Sequence, residues 1–141
     1  MEDASDYARL LKGAGADALC VSAGVFGFSR SIPSPLDPPG TFIPFAERIK
    51  KAVSLPVIAV GKINLPLGNE LLEQKKADFI AMGRPFLADP ELAMKAYAGH
   101  QDRIRECLYC NQCTKILKSD EKPNGEGIRC PVNASLLREG E

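Results

Sequence analysis

Net charge is missing from this chain: 18 Lys and Arg side chains balance 18 Asp and Glu, with the histidine neutral. That balance excludes a nucleic-acid binder working by bulk positive charge. Long apolar runs are missing too. No stretch approaches the ~20 residues that a bilayer-spanning helix requires, and the opening residues MEDASDYARLLKG are acidic and helix-like rather than a basic region followed by an apolar one. The expectation is a soluble, cytoplasmic protein with neither a membrane nor a nucleic acid as partner. Histidine occurs once, at His100, in a polar stretch with no nucleophile or carboxylate partner in view, so we read it as solvated rather than catalytic. No GxGxxG-type nucleotide motif occurs either.

What is present describes a globular domain. Hydrophobic residues make up 45% and charged residues 26% of 141 positions, enough for one domain with a sizeable core. Of five cysteines, four fall between Cys107 and Cys130, while Cys20 stands alone in an apolar run. Clustering of this kind suggests a local ligand set. A secreted scaffold spreads paired cysteines through the chain, so a reducing compartment follows, and Cys20 is expected to be a small core residue.

Along the chain, Tyr7, Ala8, Leu10 and Leu11 recur at helical spacing before Gly13 and Gly15 interrupt them, and the apolar run ADALCVS then reads as a buried strand. Gly24 to Gly40 is rich in proline, glycine and serine and reads as a long loop, a common place for function. A second helix is predicted from Phe42 to Val53, with Phe42, Phe45, Ala46, Ile49 and Val53 on one face. The strand LPVIAV follows, then a short helix marked by Leu67, Leu71 and Leu72, and a strand ending at Met82. Gly83-Arg84-Pro85 ends that strand. A last helix follows Asp89-Pro90, read as N-cap and first helical position, with Leu92, Ala93, Ala96 and Tyr97 apolar. Alternating strands and helices mean parallel βαβ units, hence an α/β fold. A closed barrel of this kind needs eight strands and ~250 residues, so the chain is expected to be a portion of one, or to complete its sheet with another chain.

Two patterns carry chemistry. The first is Cys107, Cys110, Cys113 and Cys130, spaced C-x2-C-x2-C-x16-C. Three thiolates two residues apart can converge from one turn, and a distant fourth can close the site; the spacing favours an iron–sulfur centre, with zinc left open. The second is a pair of strand ends, IAVGKIN and IAMGRPF, each placing a glycine and then a cation where a strand gives way to a loop. Gly61 and Gly83 would let the backbone approach a ligand, and Lys62 and Arg84 would neutralise a phosphate, as in the last loops of (β/α)8 barrels. The competing reading is two tight turns with solvated cations. In the long loop, Ser29 and Arg30 are equally suited to substrate contact and to plain surface. Tyr109, between two cysteines, could shield a cluster from water or pack on the neighbouring helix, and packing is the expectation.

These residues resemble a known family. LLKGAGADALCVSAG, LPVIAVGKI, ADFIAMGRPFLADPELAMKAYAG and CLYCNQC…CPVN are similar to the C-terminal part of the flavin barrel of the old yellow enzyme superfamily. The branch is that of the iron–sulfur flavoenzymes, which includes 2,4-dienoyl-CoA reductase, enoate reductases and trimethylamine dehydrogenase. The resemblance implies about three βα units of a (β/α)8 TIM barrel over residues 1–104, with strands at Ala18 to Ser22, Val57 to Val60 and Phe79 to Met82, followed by a cluster-binding segment over 105–141. It implies FMN with its phosphate at Gly61, Lys62, Gly83 and Arg84, and a [4Fe–4S] cluster on Cys107, Cys110, Cys113 and Cys130. The implied activity is NAD(P)H-dependent reduction or oxidation of a small organic substrate such as an activated C=C bond.

The departures shape the expectation as much as the match. The family's flavin pyrimidine contacts and its usual tyrosine proton donor lie in barrel units absent here, and GVFGFSRSIPSP lacks a histidine that some relatives carry. The gap before Cys130 is lengthened by the polar insertion SDEKPNGEG. The chain is therefore expected to need the rest of the barrel, another subunit or a second copy, and to be inactive alone. The alternative is a stand-alone cluster- or zinc-binding module without catalysis.

Overall fold

A computed structural model of the chain describes residues 2–23, 32–117 and 128–136. It divides into two compact units, Met1–Met82 and Gly83–Glu141. Ser29, Arg30 and the SDEKPNGEG insertion lie outside the described residues.

The first unit runs α1 (Glu2–Gly13), β1 (Leu19–Val21), α2 (Ile43–Ala52), β2 (Val57–Val60), α3 (Leu65–Glu73), β3 (Phe79–Ala81). The strands form a parallel sheet in the order β1-β2-β3, with Leu19 beside Val57 and Ile58 beside Phe79. The α/β class and the parallel sheet are as expected from the sequence. Asp78 sets the start of the β2–β3 pairing from both sides: its N–H donates to the Val57 carbonyl (2.9 Å), and its carboxylate accepts from the Val57 N–H (2.8 Å) and from Lys50.

Strand alternation then decides which residues are core. Val57 and Ala59 are fully buried with Ala46, Ile49 and Leu71, and Leu19, Val21 and Ile80 pack against that cluster. The opposite face carries Cys20, Ile58 and Phe79 in register. Cys20 is exposed and so is Phe79, at 57%. This corrects the expectation that Cys20 is a core residue: its neighbours Leu19 and Val21 point to the helices of this unit, so Cys20 points away from them, onto the opposite face of the sheet.

Local signals explain the helix ends. α1 stops where Gly15 takes φ +94°, a conformation costly for any residue with a Cβ. Phe42 and Val53 sit at the two caps of α2, both buried, so the predicted helix is one residue shorter at each end. Asn64 caps α3, its side chain accepting from the Leu67 N–H at 3.1 Å. After β2, Gly61 adopts φ +121°, and a Cβ there would lie 2.7 Å from the Phe42 ring.

The second unit holds α4 (Arg84–Ala88), α5 (Leu92–Tyr97) and 3-10 turns at Gln101–Arg103 and Gln112–Leu117. Two expectations change. Gly83-Arg84-Pro85 does not merely end a strand, because Pro85 sits in the first turn of α4, where its missing N–H is harmless. The helix after Asp89-Pro90 begins at Leu92 with Glu91 at the N-cap. Leu92 is buried but Tyr97 is 92% exposed, since a helix of six residues is too short to bury a continuous stripe. His100 is exposed, as expected. Among the described residues no helix is long and apolar enough to cross a membrane.

The contrast between two glycines is testable. Gly61→Ala combines positive φ with overpacking against Phe42 and should cost about 2–4 kcal/mol in urea unfolding. Gly83→Ala, with nothing within 4 Å of the added Cβ, should cost less than about 1 kcal/mol.

Candidate functional site

Asp89 is fully buried, and so, at 1% exposure, is Asn133. Buried polar groups survive only when they are bonded, and these two organise the second unit. The Asp89 carboxylate accepts from Lys95 (2.7 and 3.0 Å), from the Glu91 N–H (3.1 Å) and from the Arg105 N–H (2.9 Å). The Arg105 guanidinium lies 3.8 Å from the same carboxylate and donates to the Asn133 side-chain oxygen at 3.1 Å. Asn133 in turn donates through its amide to the Leu87 carbonyl of α4 at 3.0 Å, and its N–H closes the turn Cys130-Pro131-Val132-Asn133 on the Cys130 carbonyl at 3.2 Å. One chain of bonds therefore runs from the end of α4 to the last cysteine of the pattern. Burial pushes the Asp89 carboxyl up, but the bonds from Lys95, Arg105 and Glu91 outweigh it and hold the group below the usual carboxylate range. The same partnership raises Lys95.

The other three cysteines lie on a tightly curled segment. Tyr109 and Asn111, on either side of Cys110, take φ +52° and +58°. Asparagine tolerates that left-handed region, whereas tyrosine pays about 1–2 kcal/mol for it. Such outliers persist where surroundings over-determine them. Here Arg84 supplies that restraint: its guanidinium lies 5.0 Å from the centroid of the Tyr109 ring and donates to the Asn111 side-chain oxygen. The Tyr109 N–H points to the Cys107 sulfur at 3.4 Å, and Thr114 binds the Asn111 carbonyl through both its N–H (3.1 Å) and its hydroxyl (2.9 Å), starting the turn that carries Cys113. Tyr109 packs, as expected, with Arg84 as its partner.

Cys107, Cys110, Cys113 and Cys130 line one pocket together with Arg84 and Tyr109. All four are free thiols. Burial pushes the Cys107 and Cys113 thiols up, the other cysteines add to this, and Arg84 opposes it at both, helped at Cys107 by the Tyr109 N–H. Four thiols around a hollow with a neighbouring cation are a donor set that suits a thiolate-ligated metal centre. Among the described residues no group of three His, Cys, Asp or Glu converges closely enough to hold a single metal ion.

The residues assigned to phosphate are found in separate units. In the first, the Lys62 ammonium donates to the carbonyls of Ser34 (3.0 Å), Pro35 (2.8 Å) and Asp37 (2.5 Å). Asp37 closes the same turn by accepting from the Ser34 N–H (2.8 Å) and hydroxyl (2.7 Å). In the second, Gly83 precedes α4 and Arg84 holds Tyr109 and Asn111. Neither cation is the solvated side chain of the competing reading.

Sequence reasoning passed over Asp89 as an anchor, and did not single out Arg105, Asn111 or Asn133. The available signal was Asn133 closing CPVN, one residue type able to bond donors and acceptors at once. Its partners Leu87 and Arg105 are too distant in sequence for any spacing rule to pair them.

Residues 33–103 match the NADH:flavin oxidoreductase / NADH oxidase family. A protein named NADH oxidase from Thermoanaerobacter brockii is 40% identical over 99% of this chain and 21% of its own length. A cinnamate reductase from Clostridium sporogenes is 34% identical over 96% of this chain and 20% of its own. The solved structure of 6-hydroxypseudooxynicotine amine oxidase from Pseudomonas geniculata N1 superposes with a TM-score of 0.77 at 31% identity, over 96% of this chain and 20% of that one. The chain thus spans about a fifth of the length of these relatives.

Removing the buried charge tests the anchor. Asp89→Asn strands Lys95 and Arg105 around a neutral group and should destabilise the second unit by about 3 kcal/mol. Because the folded carboxyl titrates below the ordinary aspartate value, its contribution is complete above that ordinary value and lost as pH falls through the lower folded one. Acid unfolding of the native chain should therefore steepen below about pH 4, and the difference between native and Asp89→Asn stabilities should shrink there.

Proposed function

Because the chain belongs to the NADH:flavin oxidoreductase / NADH oxidase family, we propose that it is the C-terminal portion of a (β/α)8 flavin barrel, with the cluster-binding segment of an FMN- and iron–sulfur-dependent oxidoreductase. The observation that carries this reading is the meeting of Cys107, Cys110, Cys113 and Cys130 around one pocket. The successive C-x2-C-x2-C run with a distant fourth cysteine favours a [4Fe–4S] cluster over a lone zinc ion.

Bound FMN would supply hydride and one-electron chemistry, and the cluster would supply one-electron relay. This chain's residues hold, orient and shield those groups. Gly61, Lys62, Gly83 and Arg84 are our assignment for the FMN phosphate. Since Lys62 and Arg84 have partners within the chain, backbone N–H groups at these positions would carry most of the contact. The four thiolates would hold iron, and the chain from Asp89 through Arg105 to Asn133 would fix the Cys130 turn relative to α4. None of these residues donates a proton to substrate, so that step belongs to the rest of the barrel.

The electron donor to the complete enzyme would be NAD(P)H, and the substrate a small organic molecule. A relative named cinnamate reductase favours an activated C=C bond, with hydride delivered to its β-carbon. Five free thiols suit a cytoplasmic setting. The sheet face bearing Cys20 and Phe79 would be covered by the remaining barrel, by another subunit or by a second copy.

An anaerobic preparation with iron, sulfide, zinc and flavin quantified per chain tests the assignment. About four iron and four sulfide are expected; zinc alone, or no metal, would refute the relay role. On size-exclusion chromatography the isolated chain should self-associate through its exposed strand edges and apolar face. A well-behaved monomer at every concentration would count against the barrel-fragment reading.

A further inference from the structure

We propose that Arg84 is a positioning residue for the cluster: its guanidinium holds the left-handed segment around Cys110 in shape and places a positive charge beside the pocket that favours the reduced cluster. The proposal rests on the cluster assignment above and gives this side chain a task beyond phosphate contact. The guanidinium grips both residues of unusual backbone, stacking on Tyr109 at 5.0 Å and donating to Asn111, and it lines the same pocket as the four cysteines. A planar fork can stack and donate sideways at once, which an ammonium cannot do. Without that grip Tyr109 has reason to leave φ +52°, carrying Cys107 and Cys110 with it.

The charge acts separately from the grip. Reduction by dithionite adds one electron, and hence one negative charge, within the pocket, with no bond made or broken. A cation facing that pocket stabilises the more negative state, and net charge near the sulfurs is one of the levers on cluster potential.

Three variants of the full chain, loaded anaerobically, separate the two effects. Arg84→Met removes both, Arg84→Lys keeps the charge without the fork, and Asn111→Gly keeps positive φ accessible while deleting the acceptor. The readouts are the reduced-to-oxidised ratio at fixed potential, followed by electron paramagnetic resonance, and the rate of iron release to a ferrous chelator. Arg84→Met should lower the ratio by several-fold to about tenfold, tenfold being about 59 mV for one electron, and hasten iron release. Arg84→Lys should hold the ratio within about twofold of native while releasing iron several-fold faster. Asn111→Gly should likewise hasten release at an unchanged ratio. A merely structural Arg84 would leave the potential alone. A native ratio in loaded Arg84→Met overturns the charge effect, and if that variant takes up no cluster, native release rates in Arg84→Lys and Asn111→Gly overturn the proposal. Native protein that takes up no iron and sulfide would instead refute the cluster assignment itself.

Discussion

The second unit depends on one buried carboxylate. Asp89 has no solvent contact, so its charge is tolerable only while Lys95, the Glu91 and Arg105 N–H groups and the Arg105 guanidinium surround it. Arg105 hands the constraint on to Asn133 and thus to the Cys130 turn. Buried ion pairs add little net stability against an apolar replacement, but they punish every arrangement that separates the partners. Here that penalty selects the chain path that returns the CPVN turn to α4. The Arg105 Nε atom is buried without a partner among the described residues, so the network is imperfectly satisfied, a cost that favours water or another group beside it.

The first unit solves a smaller problem in the same manner. Asp78 pairs with Val57 through backbone and side chain alike and takes Lys50 as counter-charge, which fixes register at the sheet's start. Lys62 fixes the other end by gathering three carbonyls of the 34–37 turn. At one end a carboxylate beside β3, at the other a cation beside β2, is used to hold backbone.

Much of this was legible in the sequence because it depends on local rules. The strand at Val57–Val60, the helix around Ala46 and Ile49, and the glycine stop after α1 follow from periodicity and turn chemistry. The grouping of the four cysteines that line one pocket was readable from spacing alone. Cys20 was misread because an apolar run does not say whether both faces of a strand are covered. Asp89-Pro90 was misread because an aspartate before proline is a good helix start, and the pull of Arg105, 16 residues on, is a tertiary fact. The partners of Lys62 and Arg84 were invisible for a similar reason: long side chains reach across loops whose fold no local rule supplies.

The left-handed turns at Tyr109 and Asn111 bear on how the proposed metal centre would be acquired. In chains whose ligands are scattered in the unfolded state, folding waits for the ion and the two events share one free energy. Here Arg84 braces the backbone around Cys110, and Asn133 tethers the distant Cys130 turn. On the cluster reading proposed above, assembly would proceed in order, polypeptide first and inorganic core second, with loading governed by how fast thiols lose their protons rather than by how fast the chain finds its shape.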